Sequence, residues 1–413
     1  MNKIESFVYG HLKNNPLLKN YIRNIYQSVF DIFPRKKDFL PDNLIIKPNS
    51  FFGFHDQSPF SNDNKFILSN YLRMPLRMPT DKDFLEVGFY SGDRFENWNF
   101  LGTTYAWNYH KGSRLQWIAN NRVIYNDWEK DHYVSKICTI DGGTAETLEY
   151  PIDSVASNGE LASSFCYNRL ELMMPGYGYV HREKESDIES KCPESTGIYL
   201  ISLKKNTRKI ICSLKLLNDY LHLDSMNGAF HFVTHSSFSM DNRFLAFLHR
   251  WYNGMQRNTR LIVIDLLSNE LYVSPTDGMV SHYAWNNKGQ IIAFCSINGI
   301  YSHVLFEDPY LKNYRRVAYP MLNSDGHQHF LNNDLFVTDT YPNRMRQAKL
   351  FLVDTQNQET TLLASVNSPK KYQSPSENKH WCCDLHPRAS KDGSYISFDS
   401  VHTGCRSQCI FKI

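Results

Sequence analysis

The apolar and polar positions of this chain repeat one short pattern. "SPFSNDNKFILS" begins at Ser58, "LQWIANNRVIYN" at Leu115, "SSFSMDNRFLAF" at Ser236 and "YAWNNKGQIIAF" at Tyr283. "QHFLNNDLFVTD" begins at Gln328 and "PRASKDGSYISF" at Pro387. Each is a short apolar run, a turn rich in Asn, Asp, Gly or Lys, then a second run with apolar alternation. That is the signature of a β-hairpin. The third residues fall at Phe60, Trp117, Phe238, Trp285, Phe330 and Ala389, at intervals of 57, 121, 47, 45 and 59 residues. The interval of 121 is two periods, and the degenerate stretch from Ser163, "SSFCYNRLELMMPGYGY", is expected to fill it. Between these anchors lie further hairpins such as "TRLIVIDLLSNELYVS" and "AKLFLVDTQNQETTLLAS", which supply third and fourth strands. Seven four-stranded units predict an all-β chain, a seven-bladed β-propeller over residues 45–413. Asp241, Asn242, Asn287, Gly289, Asp392 and Gly393 are then turn formers rather than chemistry.

The N-terminus breaks the pattern. Phe7, Leu12, Leu17, Leu18, Tyr21, Ile22, Ile25, Tyr26, Val29 and Phe30 recur at helical spacing, which predicts a helical segment over 1–40. Its apolar face would pack on the propeller, on a partner or peripherally on a membrane surface. No run of 18 apolar residues appears, so no transmembrane segment is expected. No secretory signal is evident, and nine Cys read as free thiols, so the expected location is cytoplasmic. A net charge of +3 without a basic stripe argues against nucleic acid as a partner.

Propeller geometry does not require histidine where the chain enters each innermost strand. Yet His55, His235, His282, His327, His329 and His386 stand there. Such positions from different blades converge at one end of the central axis, where clustered ionisable groups mark a site. Cys383, Asp384 and His386 lie close in sequence, and His327 comes from the preceding unit. Cys with His favours zinc, whereas His with carboxylate also suits manganese. His235, His249 and His282, near Arg250, form a second group suited to acid–base work and charge neutralisation.

At these residues the chain resembles the propeller polysaccharide lyases, the oligogalacturonate and ulvan lyase types. The resemblance rests on "FFGFHDQSPFSNDNKFIL", "PGYGY", "THSSFSMDNRFLAFLHRW", "DGMVSHYAW", "SDGHQHF" and "CDLHPRASKDGSYISFDSVHTGCRS". It implies β-elimination at a uronic-acid glycosidic bond. His235, His282, Tyr177 and Arg250 would be catalytic, the His or Tyr as base and the Arg neutralising the carboxylate. His55, Arg169, Tyr179, His249 and Arg388 would bind substrate, a uronic-acid oligosaccharide or polysaccharide. His327, Cys383 and His386 would hold a divalent metal, zinc before manganese. The alternative is a propeller that binds or transfers glycans in surface-polysaccharide synthesis without lyase activity.

Overall fold

A computed structural model describes residues 36–413, apart from 120, 144–145, 185–186, 255 and 375–379. The expected N-terminal helix falls in residues 1–35, outside the described residues; residues 36–40 carry no helix.

Seven four-stranded antiparallel sheets follow one another along the chain. Blade 1 starts with Ser50–Phe51, blade 2 with Gln116–Ala119, blade 3 with Ser154–Val155 and blade 4 with Phe230–Phe238. Blades 5, 6 and 7 start with Val280–Trp285, His329–Phe330 and Arg388–Ala389. Blade 7 takes its outermost strand from the other end of the chain. Ile45–Pro48 pairs antiparallel with Ser407–Lys412, placing Ile45 opposite Ile410. The ring is therefore closed by backbone hydrogen bonds between the first and last strands.

The core explains why the second strands read as nearly continuous apolar runs. Each sheet is covered by a neighbour on both faces, so both sides of a strand must be apolar. Phe244–Tyr252 is buried at every position but the last. One cluster of buried apolar residues fills each inter-blade gap. Val123, Tyr125 and Leu68 belong to the gap between blades 1 and 2. Phe60, Ile67 and Ile410 fill the gap at the closure. The repeated aromatics tie blades together: the Trp117 indole donates to Pro59 O at 2.9 Å, and Trp285 to Ser237 O at 3.1 Å.

Blade 3 corrects the sequence reading. The position expected near Ser163 is held by Val155, and Ser163 lies in the second strand, Leu161–Ser164. The stretch after it leaves the sheet as helix α1, Tyr167–Met173. This insertion carries the "PGYGY" loop, whose Tyr177 stacks on His110.

Candidate active site

Strand geometry brings the histidines together. His235 lies in the innermost strand of blade 4, where the register shifts between Thr234 and Ser237. The blade 5 strand shifts likewise between Val280 and Tyr283, around His282. Such bulges break the in–out alternation and re-aim a side chain. His235 has φ 57° and His386 φ 43°, a left-handed backbone that costs a non-glycine residue about 1–3 kcal/mol and is concentrated at functional sites. The Tyr283 hydroxyl holds the His235 carbonyl in place.

The rings pack around Phe54. Its centroid is 4.5 Å from that of His55, 4.7 Å from His235 and 5.1 Å from His386. His327 stands between His282 and His386, with centroids 4.1 and 4.2 Å away. Gly53 makes this loop possible. At φ +110° it passes the next blade so closely that a Cβ would lie 2.7 Å from the Lys111 carbonyl carbon.

Carboxylates set the orientation of two rings. Asp339 faces His327 Nδ1 at 2.8 and 3.0 Å. It also accepts from the backbone N–H of His327 at 2.8 Å and of His386 at 3.0 Å. His282 Nδ1 lies 3.0 Å from Ser281 Oγ and 3.4 Å from Asp325. Burial lowers the pKa of His55, His235, His282 and His386 well below the usual value, and neighbouring imidazoles and cations add to it. These rings are neutral at neutral pH. His327 differs: burial opposes its charge, but the Asp339 carboxylate outweighs this and raises its pKa.

Two sets of side chains could hold a metal. His327, Asp384 and His386 offer ligand atoms within 4.8 Å of one another, and so do His110, Cys382 and Asp384. Cys383 belongs to neither set. It is buried in a small apolar cluster with Tyr372 and Val401, while Asp384 provides the ligand atom beside His386. Neighbouring residues of an extended segment face opposite ways, so Cys383 and Asp384 do not share a side. The soft ligand that favoured zinc beside His327 is thus replaced by an oxygen, which suits manganese as well as zinc.

The remaining expected residues divide. Arg250 is 5% exposed, and among the described residues it has no carboxylate within ion-pair distance. Its Nη1 contacts Met174 Sδ at 2.9 Å, its Nη2 reaches Ser281 O at 3.4 Å, and its buried Nε has no partner among the described residues. Burial pulls its pKa down to about 9, and Arg257 adds to the effect. Tyr177 stacks flat on His110, centroids 4.4 Å apart, and burial pushes its phenol up so that it stays protonated.

His249, Arg169, Tyr179 and Arg388 have other occupations. His249 alternates with Arg250 on one strand and therefore faces the opposite side. It bonds His231 at 2.9 Å and Arg260 at 3.1 Å. Arg169, in α1, donates to the carbonyls of His231 and Ser190 and clamps the insertion onto blade 4. Tyr179 stacks on Tyr167 and bonds Asn126 at 2.8 Å. Arg388 is fully buried, paired with Asp399 at 2.9 Å and donating to Gly53 O at 2.8 Å. His55 is in the cluster, with Nδ1 on the Gln328 carbonyl at 2.7 Å.

Sequence reasoning missed His110, Asp325, Asp339 and Tyr341. Asp339 sits at the end of an ordinary second strand, Leu335–Asp339, and nothing local marks it. The Tyr341 ring is 5.6 Å from His327.

No protein-family model and no curated protein sequence matches this chain. The fold does have structural neighbours. An oligogalacturonate lyase from Vibrio parahaemolyticus superposes with a TM-score of 0.58 at 10% identity, over 91% of this chain and 96% of that one. The tricorn protease gives a TM-score of 0.50 at 10% identity, over 87% of this chain and 33% of that one. A lyase and a protease share the propeller, so the likeness establishes the fold, and function must be argued from the site.

Proposed function

We propose that this protein is a lyase that cleaves a uronic-acid glycosidic bond by β-elimination. The observation that carries the reading is the convergence of neutral imidazoles with a buried Arg250 that, among the described residues, has no carboxylate within ion-pair distance. β-Elimination needs that combination. Removing the proton at C5 builds negative charge next to the sugar carboxylate, and a cation must neutralise it. Arg250 is suited to this task because a buried cation gains most from an incoming anion.

His282 is the proposed base. With Nδ1 turned to Ser281 and Asp325, its Nε2 can take the C5 proton, and Asp325 stabilises the imidazolium that results. His235 assists beside it, their ring centroids 5.8 Å apart. The C5–H electron pair becomes the C4=C5 double bond, the C4–O4 bond breaks, and O4 takes a proton from the Tyr177 hydroxyl. His55 lines the sugar side. A divalent cation on His327, Asp384 and His386 would polarise the carboxylate when bound.

The test is the ultraviolet absorbance of the 4,5-unsaturated uronate, followed over a panel of uronic-acid oligosaccharides. Product is expected from the native protein, and His282→Ala should lower turnover by ~10²–10⁴-fold while keeping sugar affinity. No absorbance rise with any uronate sinks the lyase reading. Full turnover in the variant sinks the assignment of the base.

A further inference from the structure

We propose that His110, Cys382 and Asp384 form a second cation site, one that binds a zinc-class metal through the Cys382 thiolate. Three observations carry it. First, one ligand atom from each of the three side chains lies within 4.8 Å of the other two. His110 Nδ1 lies 3.8 Å from Asp384 Oδ2, and Cys382 Sγ lies 3.9 Å from His110 Nε2. The Asp384 separation is longer than a good N–H···O bond of about 2.9 Å, and ligands about 2.0–2.3 Å from one metal stand farther apart than that; one ring nitrogen of His110 would face the cation and the other would not. Second, His110 is 1% exposed, and its Nδ1 has no hydrogen-bond partner among the described residues. A buried polar atom left bare is costly unless something fills the gap. Third, the two ligand-bearing segments are held together by one buried group. The Arg406 guanidinium donates to Tyr109 O at 3.2 Å, to Trp381 O at 3.0 Å and to Cys382 O at 2.8 Å. Asn108 fixes the other side, accepting from the backbone N–H of His110 at 3.0 Å and Lys111 at 2.7 Å.

A sulfur, a nitrogen and a carboxylate oxygen suit zinc, and three protein ligands leave one position open for water or a sugar oxygen. Binding replaces the Cys382 S–H bond by a sulfur–metal bond and releases the proton to solvent. Asp384 also belongs to the His327 set, so a cation in each would be bridged by this carboxylate. The inference rests on the proposed function only for that bridging; the thiolate site stands on its own residues.

The experiment loads chelator-stripped full-length protein with Co²⁺ and records metal stoichiometry and the near-ultraviolet thiolate-to-cobalt band. The native chain should show the band, at two equivalents. Cys382→Ser and His110→Gln should each lose it, with folding checked by circular dichroism. His327→Ala should keep it at one equivalent, and Cys383→Ser should keep it at two. One equivalent in the native chain, with a band that depends on Cys382, supports the thiolate site and tells against metal at His327. Absence of a thiolate band in the native chain, or its survival in both Cys382→Ser and His110→Gln, overturns the proposal. Uronate cleavage is measured separately, so failure of the lyase reading leaves this result readable.

Discussion

Asp339 accepts from His327 Nδ1 and, through its second oxygen, from the backbone N–H of His386. One carboxylate thus fixes two of the three candidate ligands, one by its ring and the other by its main chain. Asp339→Asn keeps the shape but presents an amide donor where two N–H groups point. Metal affinity at His327 is expected to fall ~10–100-fold, the usual effect of losing a partner behind a ligating histidine. Calorimetric titration with Mn²⁺ and Zn²⁺ checks this, and unchanged affinity would show that Asp339 does not orient the site.

Arg250 separates function from stability. Arg250→Met keeps the length and the contact with the thioether of Met174 but removes a buried charge that, among the described residues, has no carboxylate within ion-pair distance. Turnover should drop by ~10²–10³-fold, as for loss of one transition-state stabiliser. The unfolding midpoint should stay level or rise, since burial of this charge outweighs the attraction of the more distant Asp325. A lowered midpoint with normal turnover would mean that Arg250 is structural.

The loop that carries Tyr177 should respond to pH. Glu171 accepts from the backbone N–H groups of Gly176 at 2.9 Å and Gly178 at 3.1 Å. Burial pushes its pKa up to about 7, from 4.5. The folded state therefore holds a proton that the unfolded state has released. Its contribution to stability is complete below pH 4.5 and is lost progressively as pH rises to about 7. Glu171→Gln should flatten this part of the stability profile, measured as denaturant midpoint against pH. An unchanged profile would place the proton elsewhere.

Arg388 and Asp399 join blade 7 to blade 1, for Asp399 also accepts from the N–H groups of Phe52 at 3.1 Å and Gly53 at 2.9 Å. Asp399→Ala leaves Arg388 charged and buried. The expected cost is about 3–5 kcal/mol in urea unfolding. Replacing both, as Arg388→Met with Asp399→Ala, should recover part of it.

Much of the fold could be read from the chain because the propeller rests on local hairpins. Turn residues and apolar runs mark each of them, as at Trp285 and Phe330. Blade 3 escaped because its innermost strand is only Ser154–Val155, too short to carry a pattern, and because α1 interrupts it. The histidines were legible for the same reason as the blades: they recur at one place in the repeat. What the sequence hid was facing. His249 beside Arg250, and Cys383 beside Asp384, differ only in which side of an extended chain they occupy. His110 was hidden for another reason. It lies between Trp107 and Lys111 in a loop outside the repeat, and its partners are 272 and 274 positions away.

The closure by Ile45–Pro48 has a consequence in time. This strand is made early but finds its partner, Ser407–Lys412, only after the seventh blade has been made. The histidine cluster shares that wait, because His55 rests on the Gln328 carbonyl, 273 residues later, and packs against His386. A nascent or truncated chain can therefore form blades 1 to 6, each from its own local strands, yet have no assembled site. Assembly of the cluster is confined to chains that extend through the seventh blade, and a chain broken off before Ser407 would leave an unpaired strand edge open to pairing with another chain.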